Sequence, residues 1–376
     1  MSKKIMISAG EASGELYGAL LSREVKARWP EAEIFGIGGA KMEGEGVKLI
    51  AKITNVIGFS EAVKHLGKIR KIFKQAKDAL TDRKPDILVL IDYPDFNLAL
   101  AKKAKSAGIP VLYYVSPQVW AWRAGRVKKI ASLADKIAVL FPFEVDHYKG
   151  SGLPCEFVGH PISETINIKG TDEEIKSSLG LNPYKPVITL LPGSRPDEIN
   201  RHMPVINEVA EMLHNELPDF QIIIPLAAGS ELPESVKGYI TVLRNQTREA
   251  VACSDVSLVA SGTATLETAL LGTPMVVFYI VSPLTYILAK LLVKVKYASL
   301  VNILSGKEVV REMIQKDATP DNIFREIKRI IEDKPYKDEI ISNLKKVRDV
   351  MTGKKPSSRV AAMAGEIAGW KSTSAY

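Results

Sequence analysis

The stretch Lys4-Ile-Met-Ile-Ser-Ala-Gly-Glu-Ala-Ser-Gly14 begins as a short apolar run and leads directly into a turn of small residues. The apolar run predicts a strand at Lys4–Ser8, and the residues after the turn predict a helix. A strand, a tight turn and a helix in this order form the first half of a βαβ unit. The run is also shorter than the apolar core of a signal peptide, so we expect no export.

Similar β-branched runs recur along the chain with helical stretches between them, a pattern typical of parallel sheets. A first series lies at Lys4–Ser8, Glu33–Gly36, Ile87–Ile91, Val111–Val115, Lys136–Val139 and Glu156–Val158. A second series lies at Val187–Leu191, Gln221–Pro225, Ile240–Leu243, Val256–Val259 and Met275–Phe278. After Val310 the strand pattern ends and helical patterns follow. The sequence therefore predicts an α/β protein with two Rossmann-like, doubly wound parallel-sheet domains facing a cleft.

The length of 376 residues also favours two domains over one. An acidic polar stretch near residue 165 predicts the boundary between residues 1–165 and 166–345. Helices follow at 346–376, and Arg359–Trp370 is the segment that we expect to return to the first domain.

Composition limits the partners and the compartment. The net charge of +8 favours anionic partners such as phosphates, nucleic acid or anionic lipid, without choosing among them. Cys155 and Cys253 are far apart in sequence, so no disulfide framework or cysteine zinc site is expected, and a reducing cytoplasm fits best. Thr268–Ala289 carries no charge, yet its glycine and prolines favour a buried strand at Met275–Val281 over a membrane span.

In the first half, polar residues follow two predicted strands. The turn after Lys4–Ser8 suits a sugar better than a pyrophosphate, because Glu11 and Glu15 would repel phosphate, but it could also be a turn capped by Ser13. Asp92 and Asp95 follow Ile87–Ile91 at the sheet edge where α/β sites form. A carboxylate there could serve as a general base or merely cap the next helix.

Ser116-Pro-Gln-Val-Trp-Ala-Trp-Arg123 follows another strand end. Exposed tryptophans at such an edge suit a sugar or acyl surface, whereas buried ones would fill the core. The residues alone leave both interpretations open.

In the second half, two turns have the composition of anion sites. Leu190-Leu-Pro-Gly-Ser-Arg-Pro-Asp-Glu198 offers free amides and an arginine to a diphosphate. Ser261-Gly-Thr-Ala-Thr-Leu-Glu267 repeats the arrangement, with a glutamate that can accept from ribose hydroxyls. Ordinary helix capping is the alternative for both turns.

Several other chemistries lack their sequence patterns. The five histidines show no zinc-binding spacing, and the chain has neither a nucleophile elbow nor a Walker loop. The dinucleotide fingerprint of a Rossmann dehydrogenase is missing as well. We therefore expect a metal-independent reaction without a cofactor.

Six motifs lie in order along residues 5–310. They are Ser8-Ala-Gly-Glu-Ala-Ser-Gly-Glu15, Ile91-Asp-Tyr-Pro-Asp-Phe-Asn97, Tyr114-Val-Ser-Pro-Gln-Val-Trp-Ala-Trp122, Phe157-Val-Gly-His-Pro161, Leu191-Pro-Gly-Ser-Arg195 and Ser261-Gly-Thr-Ala-Thr-Leu-Glu-Thr-Ala269. In this order they resemble the lipid-A-disaccharide synthase family. Departures are Tyr93, where the family often has a small residue, and Arg311, where a proline is common.

The resemblance implies a GT-B fold and an inverting glycosyltransferase. The enzyme would join UDP-2,3-diacylglucosamine to 2,3-diacylglucosamine 1-phosphate (lipid X), forming the β-1′,6-linked lipid A disaccharide and UDP. Asp95 would be the base, with Asp92 in reserve, and Arg195 would face the leaving diphosphate. The donor site would comprise Gly193, Ser194, Arg195, Glu198, Ser261, Gly262, Thr263 and Glu267. The acceptor site would comprise Glu11, Ser13, Asn302 and Glu308.

Acylated substrates imply a membrane. The basic amphipathic stretch Val56–Leu80 suits an anionic bilayer, although an ordinary surface helix has the same pattern. The apolar residues expected to contact the membrane are Val63, Leu66, Ile69, Ile72 and Phe73. The resulting expectation is a cytoplasmic protein, peripheral on the inner face of the inner membrane, that binds no nucleic acid. A homodimer is left open.

The residue patterns alone do not exclude two other functions. One is a different GT-B enzyme acting on UDP-GlcNAc, such as a lipid II-type transferase or a 2-epimerase, which would not need this lipid acceptor. The other is a non-catalytic protein that binds nucleotides or lipids.

Overall fold

The computed structural model of the chain describes residues 3–52, 66–117, 125–227, 230–233, 236–283, 285–286, 290 and 296–371. The chain divides into two compact units. The first consists of Met1–Glu164 and Lys354–Tyr376, and the second of Thr165–Gly353.

The first unit is built on a seven-stranded sheet in which all the paired strands are parallel. Its strands are β1 (Lys4–Ala9), β2 (Glu33–Gly38), β3 (Lys48–Lys52), β4 (Ile87–Ile91), β5 (Val111–Tyr114), β6 (Lys136–Val139) and β7 (Cys155–Phe157). Its first helices are α1 (Ala12–Arg28), α2 (Ala40–Gly44), α3 (Leu66–Arg83), α4 (Pro94–Ser106), α5 (Arg126–Leu133) and α6 (Glu144–Tyr148). All five residues of β4 are buried, because helices on both faces make a central parallel strand uniformly apolar.

The second unit has a six-stranded sheet, again with parallel pairs throughout. Its strands are β8 (Val187–Leu191), β9 (Gln221–Leu226), β10 (Ile240–Arg244), β11 (Val256–Ala260), β12 (Met275–Tyr279) and β13 (Glu312–Ile314). Its described helices are α7 (Asp172–Ser178), α8 (Pro196–Glu216), α9 (Thr247–Ala252), α10 (Thr263–Leu271), α11 (Leu300–Ser305), α12 (Pro320–Glu332) and α13 (Lys334–Met351).

The last described helix, α14 (Pro356–Ile367), belongs to the first unit, where it packs on α1, β4 and β5. Its Gly365 lets Trp29 approach closely, since a Cβ at that glycine would lie 2.3 Å from Trp29 Cη2. Trp29 in turn meets Trp370 edge to face, with ring centroids 5.0 Å apart. This aromatic contact fixes the residues after α14 against the end of α1.

The strand orders explain where ligands can bind. The first sheet has the order β3-β2-β1-β4-β5-β6-β7 and the second β10-β9-β8-β11-β12-β13. In both sheets the direction of winding reverses beside the first strand, between β1 and β4 and between β8 and β11. A doubly wound sheet forms its ligand crevice outside the carboxyl ends of the strands at this switch point. The predicted fold of two doubly wound parallel sheets is thus confirmed.

One detail differs from the sequence prediction. The strand pattern does not end at Val310, because Glu312–Ile314 adds β13 to the edge of the second sheet. Three residues are too few to show periodicity, so this strand has no sequence signal. Within the uncharged segment, Met275–Tyr279 is a strand as predicted. Among the described residues, no helix is both long and apolar enough to cross a membrane.

Candidate active site

The turn after β4 presents both candidate carboxylates of the first unit. Asp92 and Tyr93 have φ values of +49° and +45°, and Pro94 then starts α4. Two consecutive non-glycine residues in the left-handed region are rare, and each costs on the order of 1–3 kcal/mol. The surrounding structure must therefore hold the turn in place.

A buried asparagine supplies that support. Asn97 Nδ2 donates to the carbonyls of Asp92 at 2.7 Å and Ile91 at 3.2 Å, and Asn97 Oδ1 accepts from Ser8 Oγ at 2.7 Å. The Tyr113 hydroxyl adds a second donor to the Asp92 carbonyl at 3.1 Å. The ends of β1 and β4 are thereby joined at the switch point.

The two carboxylates have different surroundings. Burial is the main cause that raises the pKa of Asp92 to about 6, and the negative charge of Glu11 adds to it. A hydrogen bond from the Tyr93 backbone amide acts in the opposite direction and lowers this pKa. Asp95 is exposed over 85% of its side chain, and its Oδ1 lies 2.7 Å from Nη2 of Arg126. Since the Arg126 side chain is only 15% exposed, it forms a fixed support for the Asp95 carboxylate.

The loop after β1 borders the same switch point. Glu11 is the N-cap residue of α1 in extended conformation, and no side-chain bond caps this helix. The alternative of a turn capped by Ser13 is therefore not what the structure has. Glu11 and Ser13 are both half-buried at the start of the helix. The nearby Glu15 has a structural role, since its Oε1 accepts from the Lys41 amide at 2.7 Å.

In the second unit, the turn after β8 already binds an anionic group. Gly193 has a φ of +119°, and the amides of Ser194 and Arg195 each donate to Glu198 Oε2 at 3.4 Å. The Tyr279 hydroxyl donates to Glu198 Oε1 at 3.0 Å. Amides at a helix N-terminus that bind carboxylate oxygens have the chemistry that a phosphate requires. The Arg195 side chain, 54% exposed, extends this positive region.

His202 stabilises the same turn through hydrogen bonds to the backbone. Its Nδ1 lies 2.6 Å from the carbonyl oxygen of Pro192, and its Nε2 accepts from the amide of Ile280 at 3.1 Å. Burial is the main cause that lowers the pKa of His202, so the ring is neutral with the proton on Nδ1. His202 thus connects the carboxyl ends of β8 and β12.

The turn after β11 leaves a helix N-terminus open. Gly262 has a φ of +151° and caps α10, and Gly262 and Thr263 are both exposed. Ser261 Oγ donates to the Ala298 carbonyl at 3.0 Å, which leaves its oxygen able to accept. Glu267, one turn into the helix, pairs with Arg248 at 3.0 Å. The switch point of the second sheet therefore has two adjacent turns suited to oxyanions and hydroxyls.

Comparison with known proteins identifies the family. Residues 5–364 match the family described as lipid-A-disaccharide synthetase. The lipid-A-disaccharide synthase of Trichlorobacter lovleyi is 43% identical over 375 residues, covering 96% of both chains. That of Myxococcus xanthus is 39% identical over 353 residues, covering 92% of both. The chain belongs to the lipid-A-disaccharide synthase family.

Solved structures with the same fold are more distant in sequence. The UDP-GlcNAc 2-epimerase of Neisseria meningitidis, bound to UDP-GlcNAc, has a TM-score of 0.66 at 14% identity, covering 96% of this chain and 98% of its own. Acinetobacter baumannii MurG has a TM-score of 0.56 at 13% identity, with 97% and 99% covered. The likeness confirms the GT-B fold predicted from the motifs.

Family membership confirms the predicted activity: the protein is a glycosyltransferase of lipid A biosynthesis that forms the lipid A disaccharide from a UDP-sugar and a lipid X-type acceptor. The other enzymes and the non-catalytic binding protein considered from the residues are set aside by this membership.

Two residues expected at the acceptor site have partners within the second unit. Asn302 is fully buried in the second unit, where its Oδ1 accepts from the amides of Val309 and Val310 and its Nδ2 donates to Glu312. Contact with an acceptor would require breaking these bonds. Glu308 precedes β13, on the amino-terminal side of that strand, and pairs with Arg311 at 3.3 Å. Asn302 is thus held by structural partners, whereas Glu308 is exposed, and a place for either at the acceptor site stays a prediction.

The helix expected at the membrane packs part of its apolar face on the protein core. Ile69, Ile72 and Phe73 are half-buried and pack against the core of the first unit. The exposed residues of α3 include five basic ones, Lys68, Arg70, Lys71, Lys74 and Lys77. The described part of the apolar stripe thus packs on the core, as in an ordinary amphipathic helix, and its contact with a membrane stays a prediction. Val63, the Leu66 side chain, Trp120 and Trp122 lie outside the described residues.

Sequence reasoning missed the residues that support the site. The sequence patterns do not single out Asn97, Arg126, His202 or Tyr279 as supporting residues. Their signal lies in burial and in contacts between distant parts of the chain, which a single sequence does not contain. The one clue in the sequence is that an asparagine, Asn97, lies two residues after the candidate carboxylate Asp95.

Proposed function

We propose that the enzyme transfers 2,3-diacylglucosamine from UDP-2,3-diacylglucosamine to the 6-hydroxyl of 2,3-diacylglucosamine 1-phosphate. One displacement at C1 of the donor inverts the α-linkage to a β-linkage and releases UDP. Such a step needs a base at the hydroxyl and positive or N–H donors at the leaving diphosphate. The main support is that carboxylates lie at the switch point of the first sheet and anion-binding turns at that of the second.

Asp95 is the base in this proposal. Its exposed carboxylate can reach a bound hydroxyl, and the bond from Arg126 to Oδ1 fixes its orientation. The more buried Asp92 is the reserve candidate, with its pKa raised to about 6, near the value that suits a base at neutral pH. Glu11 and Ser13, at the start of α1, are assigned to the sugar hydroxyls of the acceptor.

The second unit holds the donor. The amides of Gly193, Ser194 and Arg195 and the Arg195 guanidinium stabilise the negative charge that develops on the diphosphate. Glu198 then exchanges its bonds to these amides for bonds to the donor. The uridine and ribose lie against Ser261, Gly262, Thr263 and Glu267, where the open helix N-terminus and the carboxylate provide complementary partners.

We also propose that the enzyme works in the cytoplasm at the inner face of the inner membrane. The support is the row of exposed basic residues on α3, each of which contributes about 1 kcal/mol of attraction when near an anionic bilayer. The attachment is electrostatic, since the apolar side of α3 packs on the core. Binding to anionic vesicles should therefore weaken as the salt concentration rises.

The test is to incubate the enzyme with both substrates and detect the disaccharide and UDP by mass. Asp95→Ala is expected to bind UDP with unchanged affinity and to lose turnover by at least about a hundredfold, the effect of removing a general base. Asp82→Ala, which removes an exposed carboxylate on α3 of the same unit, is the matched control.

Wild-type turnover in Asp95→Ala, together with its loss in Asp92→Ala, would transfer the role of base to Asp92. Wild-type turnover in both variants would reject the assignment of the base to this turn. Release of free monosaccharide without disaccharide would contradict the proposed acceptor.

A further inference from the structure

A small apolar cavity lies at the carboxyl edge of the first sheet. It is lined by Ser8, Ala9, Gly10, Ile37, Ile69, Ile72, Tyr93 and Phe96. The free space is about 30 Å³, enough for only a few atoms. Its walls come from the ends of β1 and β2, from the apolar face of α3 and from the turn that carries the candidate carboxylates.

Tyr93 forms the wall on the side of the site. Its ring lies against Gly10, where a Cβ would be only 2.3 Å from Tyr93 Cγ and 2.5 Å from Cβ and Cδ1. The ring also stacks on Phe96, with centroids 5.6 Å apart and planes 25° from parallel. The missing side chain of Gly10 is therefore what allows an aromatic ring to occupy this place.

The backbone conformation that places the Tyr93 ring there is energetically unfavourable. The residue is bulky and has a φ of +45°, a conformation that costs on the order of 1–3 kcal/mol. A rotation of the side chain about χ1 would move the ring away from Gly10 and Phe96 and enlarge the cavity. Since Ile69 and Ile72 line its other side, the enlarged space would remain apolar.

The position of Tyr93 relates the cavity to the reacting groups. The residue lies between Asp92 and Asp95 in sequence, and burial together with the charges of Glu11 and Asp95 raises the pKa of its hydroxyl. The hydroxyl thus stays protonated beside the carboxylates, and the ring faces the cavity. The acceptor of the proposed function carries flexible acyl chains, so with its hydroxyl at Asp95 an acyl chain can extend to this ring.

We propose that the cavity behind Tyr93 receives the end of an acyl chain of the acceptor, and that Tyr93 determines how much of the chain can enter. This inference rests on the proposed function, which supplies an acylated acceptor at this turn. An alkyl chain is the ligand that fits, because Ile37, Ile69, Ile72 and Phe96 provide apolar contacts. Each methylene that moves from water into such a space improves binding about fourfold.

The experiment compares Tyr93→Gly with Tyr93→Phe. Glycine removes the ring and accepts a positive φ without strain, whereas phenylalanine keeps the ring and removes only the hydroxyl. The kcat/KM is measured for a series of acceptors whose acyl chains differ by two carbons. Ratios between acceptors within one variant are used, because a general loss of turnover caused by a looser turn cancels in a ratio.

Tyr93→Gly is expected to shift the preference toward longer chains by about fifteenfold for two extra methylenes. Wild type and Tyr93→Phe should share one preference, and Ile72→Trp, which fills the cavity, should shift it toward shorter chains. An identical chain-length profile in wild type, Tyr93→Gly and Ile72→Trp would overturn the inference. The inference would also be overturned if Tyr93→Gly changed only the binding of anionic vesicles and left the chain-length preference unchanged.

Calorimetric binding of the same acceptors without donor separates this inference from the proposed function. If the wild-type enzyme forms no disaccharide, the proposed function fails, yet chain-length dependence of binding still tests the cavity. Longer chains should gain affinity in Tyr93→Gly relative to wild type. Equal gains in both proteins would reject the cavity as an acyl site.

Discussion

Asn97 Nδ2 donates a 2.7 Å hydrogen bond to the backbone carbonyl of Asp92, so a buried amide holds the strained turn that presents both carboxylates of the first unit. The same side chain accepts from Ser8 Oγ on β1. The two strands that flank the switch point are therefore tied together by one residue that is fully buried and has no contact with solvent. We assign Asn97 to positioning of the site.

Replacing Asn97 should separate positioning from binding. In Asn97→Asp, an oxygen faces the carbonyls of Asp92 and Ile91, where the native amide donates, and a buried acceptor without a donor costs about 1–3 kcal/mol. We expect kcat to fall at least tenfold while the KM for the UDP-sugar, held by the other unit, stays near wild type. Ser8→Ala, which removes only one bond, should give a smaller loss. An equal rise in the donor KM would contradict a role confined to the first unit.

The unusual pKa of Asp92 predicts a gain of stability on substitution. Since burial and Glu11 raise this pKa from 3.8 to about 6, the folded state binds the proton more tightly than the unfolded chain. The contribution to stability is greatest below about pH 3.8 and is lost as the pH rises toward 6. Asp92→Asn removes the charge and tolerates the positive φ, so at pH 7 its free energy of unfolding should increase by about 1–3 kcal/mol.

Denaturant unfolding at several pH values measures this effect. The difference between Asp92→Asn and wild type should shrink as the pH falls from 6 to 4. Asp95→Asn is the control, because an exposed ion pair such as Asp95–Arg126 contributes little, about 0–1 kcal/mol. A constant difference at all pH values would show that the substitution acts through packing and not through ionisation.

The sequence predicted what depends on local pattern and missed what depends on distant contacts. The apolar run Ile87–Ile91 is β4, and the carboxylates after it lie at the sheet edge as expected. The bond between Ser8 and Asn97, in contrast, joins residues 89 apart, and His202 and Ile280 are 78 apart. Such pairs follow from the strand order, which a pattern of strands and helices does not specify.

Burial also changed the roles of residues that the motifs had grouped together. Asn302 is expected at the acceptor site, yet its side-chain amide bonds to neighbouring backbone and to Glu312. Ile69 and Ile72 have the spacing of a membrane-facing stripe, yet they pack on the core, because that spacing is common to both situations. Which face of an amphipathic helix meets the protein is a question of tertiary structure.

Gly193 should be required for binding of the diphosphate. Its φ is +119°, and an added Cβ would lie 3.0 Å from Glu198 Oε2, so alanine would disturb both the turn and the carboxylate on its amides. Gly193→Ala is expected to weaken UDP binding about tenfold to a hundredfold, measured by calorimetry. Gly180→Ala is the matched control, since Gly180 has a φ of +72° in the same unit with open space around it. A similar loss of affinity in both variants would point to general destabilisation.

His160 should make the first unit sensitive to acid. The ring is buried between Tyr17 and Phe141, and its Nδ1 accepts from the Ile162 amide at 3.2 Å. Burial lowers its pKa from 6.5 to about 3, so the folded protein keeps it neutral while the unfolded chain takes up a proton below pH 6.5. Its contribution to stability is therefore complete above about pH 6.5 and is lost as the pH falls toward 3.

Unfolding free energies between pH 7 and pH 4 test this prediction. His160 alone should contribute a slope approaching about 1.4 kcal/mol per pH unit in this range. In His160→Gln, whose oxygen can still accept from the Ile162 amide, that contribution should disappear and the total slope should become shallower. His147→Gln removes an exposed histidine of the same unit and should keep the wild-type slope. Equal slopes in wild type and His160→Gln would mean that the buried ring is not the group that takes up the proton on unfolding.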